Sequence, residues 1–317
     1  MLALDLGVFH RKAKVIAPKE ALIWSGVWFS ISMAFAALVF IWHGSQAGTE
    51  FLTGYMIEWS LSIDNVFVFV LIFGFFKVPA AYQYRVLFWG VLSALIMRGV
   101  LIGAGAALLA NFHWIIFIFG GFLIFSGARI AFHDESKADP TRNPMVRIFR
   151  RFVPTATEYD GQKFFTRKNG KWLATPLLTV LIAIEATDLA FAIDSIPAIF
   201  AITDEPFIVF TANALAILGL RSLYFALAGV IHKFVFLKYG LSLVLVFVGA
   251  KMLASDVYHM PASLSLGVVI SILGITVVAS LFKVNHDEIP DTAKIDEPNK
   301  PIESPSRNGV SAGMENH

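Results

Sequence analysis

The sequence predicts an all-α fold, a polytopic transmembrane helical bundle, and three observations carry that prediction. Of 317 residues, 57% are hydrophobic and 15% are charged, against roughly 45–50% and about 25% in a soluble globular domain. The mean hydropathy is +0.70. The apolar residues form long unbroken runs, whereas a spanning β-barrel would alternate apolar and polar positions.

Eight runs come near the ~20 residues that a membrane helix needs: 21–42, 51–76, 84–109, 114–132, 174–201, 207–231, 237–255 and 263–283. Before them, Met1–Phe9 is apolar but too short to span. Its charges, His10, Arg11, Lys12 and Lys14, follow the apolar part, the reverse of a secretory signal. It reads as the end of a helix, and the reading frame is expected to continue upstream of Met1.

Charge sets the expected sidedness. The loop 134–173 carries nine Lys and Arg residues: Lys137, Arg142, Arg147, Arg150, Arg151, Lys163, Arg167, Lys168 and Lys171. The excess of positive charge on cytoplasmic loops places it inside. Segment 11–19, Lys77, Arg85, Lys233 and Lys238 then share its side. Asn111–His113, the acidic turn Asp204–Pro206 and Asp256 face the other. The tail after Lys283, with Pro290, Pro298, Pro301 and Pro305, is expected to be a disordered cytoplasmic tail. A net charge of +2 spread over loops gives no nucleic-acid surface. The absence of cysteine excludes disulfides, thiolate metal sites and thiol redox chemistry by the chain itself.

The spans repeat. Glu58-Trp-Ser-Leu-Ser-Ile-Asp64-Asn65-Val66 matches Asp188-Leu-Ala-Phe-Ala-Ile-Asp194-Ser195-Ile196 position by position. The next span of each set holds one mid-span arginine, Arg98 or Arg221. The third ends in Phe125-Ser-Gly127-Ala128-Arg129 or Phe247-Val-Gly249-Ala250-Lys251. The prediction is two three-helix repeats, and three being odd, the second is inverted. The organisation is thus 1–20, a helix end and basic segment; 21–50, a helix and loop; 51–133, the first repeat; 134–173, the basic loop; 174–256, the second repeat; 257–284, the last helix; and 285–317, the tail.

Five carboxylates lie inside spans: Glu58, Asp64, Glu185, Asp188 and Asp194. Each costs about 2.5–3.5 kcal/mol at a helix centre. Arginine, protons or a bound cation must offset them. Five negative charges, two arginines and one divalent ion leave one charge for a proton, which suggests exchange of a cation against protons. Glu58 and Asp64 are six apart, as are Asp188 and Asp194, so each pair diverges by about 120° on a regular helix. Both members reach one ion only where the helix is interrupted. Asp64-Asn65 and Asp194–Pro197 offer such breaks, since Pro197 frees a carbonyl one turn earlier.

The available ligands are oxygens, which suit manganese, magnesium or calcium and disfavour copper and zinc. Asn65 and Ser195 stand beside the acids as supporting groups. Arg98 and Arg221 are read as counter-ions without substrate contact. Arg129 and Lys251 are expected to snorkel. Asn213 and Thr187 are expected to bond between helices, and Gly103, Gly105, Gly120, Gly121 and Gly127 to allow close packing. Trp24, Trp28, Trp42, Trp89, Trp114 and Trp172 read as interfacial anchors.

The segments ALDLGVFHR (3–11), FLTGYMIEWSLSIDNVFVF (51–69), FFTRKNGKWLATPL (164–177) and EATDLAFAIDSIPAIFAIT (185–203) closely resemble the TerC family of integral membrane proteins, of the Alx type. The resemblance runs to about residue 285. It implies a bacterial inner-membrane manganese exporter in which Glu58, Asp64, Glu185, Asp188 and Asp194 are the functional acids, with Asn65 and Ser195 beside them. It also implies a further amino-terminal helix, of which this sequence holds only the stub.

The expected function is export of a divalent cation, manganese, with protons as counter-ion and no tightly bound cofactor. The expected partners are the lipid bilayer and the cation, with room for a membrane protein partner or a homo-oligomer. The alternatives are indirect action in tellurium resistance or redox homeostasis, and a membrane scaffold for a metal-loading complex. A pocket of carboxylates would repel the tellurite anion, so any tellurium effect is expected to be indirect. No phosphate-binding glycine loop, zinc-protease helix or nucleophile elbow occurs, and the chain is read as a non-enzyme.

Overall fold

A computed structural model describes residues 17–112, 114–132, 141, 143–168, 170–229, 234, 236–258 and 260–286. The amino-terminal stub, His113, Lys137, Arg142, Lys233 and the tail from 287 lie outside the described residues.

Among the described residues eight helices follow in chain order: α1 (Pro18–Phe75), α2 (Ala80–Asn111), α3 (Ile115–Phe132), α4 (Pro144–Phe152), α5 (Pro176–Phe200), α6 (Pro206–Leu227), α7 (Leu237–Leu253) and α8 (Ala262–His286). Six of them, α1, α2, α3, α5, α6 and α8, are long and apolar enough to cross a membrane. The 17 residues of α7 sit at the short limit for a crossing. Four helices, α1, α4, α5 and α6, start with proline in the first turn, where a missing N–H costs nothing.

The 58 residues of α1 hold the first two expected spans. The chain reverses at Gly44, whose φ of 88° and ψ of 177° are the one non-helical pair inside it. Only glycine adopts that geometry without strain. The two arms then pack antiparallel, Phe35 on Phe51 at 5.3 Å and Phe29 on Tyr55 at 6.3 Å between ring centroids. Trp28, expected at an interface, is instead buried, 8% exposed, beside Gly219 of α6. An indole can serve either role, and the arm's position against α6 decides it.

Helix pairs make up the bundle: α1 with α6, α2 with α5, and α3 with α7. The α3–α7 crossing is close. A Cβ on Gly120 would meet the Gly249 carbonyl at 3.0 Å, and one on Gly127 would meet the Ser242 carbonyl at 2.8 Å. The Ser242 hydroxyl donates to the Gly127 carbonyl at 2.6 Å. Gly105 likewise gives room to Phe200 of α5. Gly103 and Gly121 face open space within 4 Å, so they do not serve the packing expected of them.

The described part of the basic loop is structured, which the sequence does not predict. It holds α4 and an antiparallel hairpin, β1 (Phe165–Lys168) and β2 (Lys171–Ala174), with Arg167 opposite Trp172. The Tyr159 hydroxyl donates to the Phe76 carbonyl at 2.8 Å, and Arg85 stacks on Phe164. These contacts tie the loop to the α1–α2 turn. Burial pushes the Tyr159 phenol up. The Thr166 hydroxyl and the Lys163 ammonium hold the Asp160 carboxyl below its usual range. The opposite end of the bundle holds a cavity of about 950 Å³ lined by Glu50, Asp204, Asp256 and Lys251, among others. Lys251 thus borders a cavity rather than only an interface.

Candidate functional site

The site is built around Arg98, which lies midway along α2 and is 2% exposed. Its Nη1 donates to Glu58 Oε2 at 2.9 Å. Its Nη2 and Nε donate to Asp188 Oδ1 and Oδ2 at 3.0 and 3.3 Å. Nη1 also reaches the Ser195 hydroxyl at 3.2 Å. Glu58 is 1% and Asp188 3% exposed. One guanidinium therefore gathers the first acid of each sequence motif, using the planar fork that suits two carboxylates at once.

The remaining oxygen of Glu58 accepts from Asn213 Nδ2 at 2.8 Å. Asn213 bonds between helices, as expected, but to a site acid. Thr187 does not, since its hydroxyl returns to the Ala183 carbonyl of its own helix at 2.8 Å.

The other acids of α5 are held differently. The Ser93 hydroxyl of α2 donates to Glu185 Oε1. The Ser126 hydroxyl of α3 donates to Asp194 Oδ1 at 2.7 Å, with Arg129 within electrostatic range. Glu185 also lies within range of Asp188, as their three-residue spacing predicts. Ser93 and Ser126 were missed as site residues. A serine in an apolar span is too common to stand out, and only its height on a neighbouring helix reveals the pairing.

The expected breaks do not occur. Gly44 is the single non-helical position inside α1, and α5 runs through Pro197 to Phe200. Pro197 falls so near the helix end that few hydrogen bonds are at stake. On regular helices the six-residue spacing stands, so Glu58 and Asp188 meet at Arg98, while the half-buried Asp194 turns to Ser126 of α3 and Asp64 sits half-buried on α1. The five acids thus do not converge on one ion in this conformation. Among the described residues, no group of three or more acidic or histidine side chains is placed to hold a metal.

Asn65 is 2% exposed, and its Oδ1 accepts no hydrogen bond. Arg221 is partly buried on α6, with its guanidinium over the Tyr84 ring at 4.8 Å. It is not among the groups that join Glu58 to Asp188.

A helical bundle with buried carboxylates at mid-span and apolar outer faces defines a polytopic integral membrane protein. Residues 43–288 match the integral membrane protein TerC family, and the chain belongs to that family. It is 54% identical over 291 residues to the membrane protein STKORF319 of Myxococcus xanthus, covering 92% of this chain and 91% of that one. It is 46% identical over 299 residues to Alx of Escherichia coli (strain K12), covering 91% and 93%. The name of Alx describes a candidate membrane-bound redox modulator. A membrane protein of Rickettsia bellii is 40% identical over 285 residues, covering 90% and 94%. No solved structure matches the chain.

Proposed function

We propose that this membrane protein exports a divalent cation, manganese, in exchange for protons, and that Glu58, Asp64, Glu185, Asp188 and Asp194 are the acids that handle both. One observation carries the reading. Arg98 serves Glu58 and Asp188, while the hydrogen-bond partners of Glu185 and Asp194 are serine hydroxyls, with Arg129 at longer electrostatic range of Asp194. A serine hydroxyl stabilises a carboxylate far less than a guanidinium does. Acids kept at lipid depth on such terms fit groups that gain and lose a cation or a proton.

Asn65 adds a buried oxygen with no donor, which costs about 1–3 kcal/mol unless met. Oxygen donors of this kind suit manganese, magnesium or calcium. The choice of manganese and the outward direction rest on the likeness of the two acidic motifs to TerC exporters. In the conformation described, the guanidinium of Arg98 fills the position between Glu58 and Asp188. The transported ion and Arg98 compete for those two carboxylates, and release of Arg98 accompanies loading.

The inverted-repeat reading is supported by the contacts. Exchanging each α3 residue for its α7 counterpart turns the Gly120–Gly249 contact into the Ser242–Gly127 contact. The basic loop and the α1–α2 turn share one end, and the acidic cavity lies at the other. That supports a cytoplasmic basic loop in an inner membrane. A redox effect such as the name of Alx suggests would be indirect here, because the chain has no cysteine.

The test is manganese flux into proteoliposomes and cellular manganese in a deletion strain. Wild type, Asp64→Asn, Glu185→Gln and Asp194→Asn are compared at equal insertion. The expected result is loss of flux and raised cellular manganese in the variants. Unchanged flux in all three would sink the exporter and favour the scaffold.

A further inference from the structure

We propose that α4 lies flat in the headgroup layer of the adjoining leaflet and binds anionic phospholipid there. The helix has nine residues, too few to cross a membrane, so its apolar exposure has a cause other than spanning. Asn143 caps it by accepting from the Met145 N–H at 2.9 Å, and Pro144 opens its first turn. Met145, Ile148, Phe149 and Phe152 follow helical spacing on one side, and Arg147, Arg150 and Arg151 share the other. This is the two-faced pattern of interfacial helices.

Burial fixes its height. Val146 is fully buried and joins the main core cluster with Leu177 of α5's first turn. α4 therefore lies level with the end of a spanning helix, where headgroups begin. Met145, Ile148 and Phe152 are 41%, 56% and 76% exposed, and no part of the chain covers them among the described residues. Water would leave that edge uncompensated, whereas acyl chains beside the bundle meet it. Arg147, Arg150 and Arg151 are exposed and make no ion pair among the described residues. Three exposed guanidinium groups on the rim of an apolar edge complement phosphate at that depth. On the neighbouring hairpin, Trp172 is 67% exposed and pairs across the strands with Arg167, the combination favoured at a membrane–water boundary.

The natural absence of cysteine makes the test direct. Full-length protein carrying I148C, F152C or R150C takes a nitroxide and enters nanodiscs of phosphatidylcholine, with or without phosphatidylglycerol. Collisions with oxygen and with a water-soluble nickel chelate are read by EPR. The expected result is a ratio of oxygen to nickel collisions several-fold higher at 148 and 152 than at 150. Phosphatidylglycerol should raise it further, and R147Q/R151Q in the I148C background should remove that rise. The two arginines are exposed, so the unfolding midpoint of this variant should not move. Equal nickel access at all three positions would place α4 in water. Shielding of 148 and 152 from both reagents would mean a protein contact. Indifference to phosphatidylglycerol would mean apolar anchoring without anionic recognition. Each of these overturns the proposal.

Discussion

Arg98 grips Asp188 with two nitrogens, Nη2 on Oδ1 at 3.0 Å and Nε on Oδ2 at 3.3 Å, and its third nitrogen holds Glu58. All three side chains are almost fully buried. Arg98→Gln would leave two buried carboxylates with neutral donors only, the Asn213 amide at Glu58 among them. A loss of about 3–5 kcal/mol is expected, the usual penalty for stranding a buried charge. Unfolding in detergent measures it. Adding Glu58→Gln and Asp188→Asn to Arg98→Gln should recover most of the loss. A triple variant as unstable as Arg98→Gln would show that packing, and not charge, is what Arg98 supplies.

Glu185→Gln and Asp194→Asn should behave otherwise. Each amide keeps an oxygen for the Ser93 or Ser126 hydroxyl. Stability should change by no more than about 1 kcal/mol, the scale of one hydrogen bond, while manganese flux is lost. Equal damage to folding by these variants and by Arg98→Gln would make the α5 acids structural.

The α3–α7 crossing separates two glycines of different meaning. A Cβ on Gly249 would stand 2.7 Å from the Gly120 carbonyl and 3.0 Å from the Ile124 nitrogen. Backbone cannot retreat as a flexible side chain can, so Gly249→Ala should cost about 1–3 kcal/mol by overpacking. Gly121→Ala meets nothing within 4 Å and should be neutral or gain up to about 1 kcal/mol in helix propensity. Thermal unfolding of the pair in the same detergent checks both.

The cap over the α1–α2 turn should loosen at both pH extremes. Asp160 is held below its ordinary 3.8 by Thr166 and Lys163. Its contribution is present above pH 3.8 and is lost as pH falls through the lowered folded value. Tyr159 is raised above its ordinary 10.0 by burial. Its neutral hydroxyl donates to Phe76, a contribution present below pH 10.0 and lost as pH rises through the folded value. Trp172 fluorescence and proteolysis of the loop report both arms. Asp160→Asn should abolish the acid arm and Tyr159→Phe the alkaline one.

By itself the sequence determined the solvent in which this chain folds and the heights of its charges. Unbroken apolar runs can only be helices in lipid, and a residue's number along such a run sets its depth. It determined the six-residue divergence of each acid pair too, because a regular helix leaves no freedom there. Glu58 and Asp188 could be matched by position before any contact was known. Which acids share a guanidinium was decided by tertiary structure alone. That depends on which helix lies beside which, and lipid-facing and core-facing apolar residues look alike in a sequence. The same holds for Ser93 and Ser126, ordinary until α2 and α3 bring them against α5, and for Trp28, placed inside by the reversal at Gly44. The β-hairpin escaped notice for a different reason. Its strands have four residues each, and what stabilises so short a pair is the bundle end it rests on, not its own pattern.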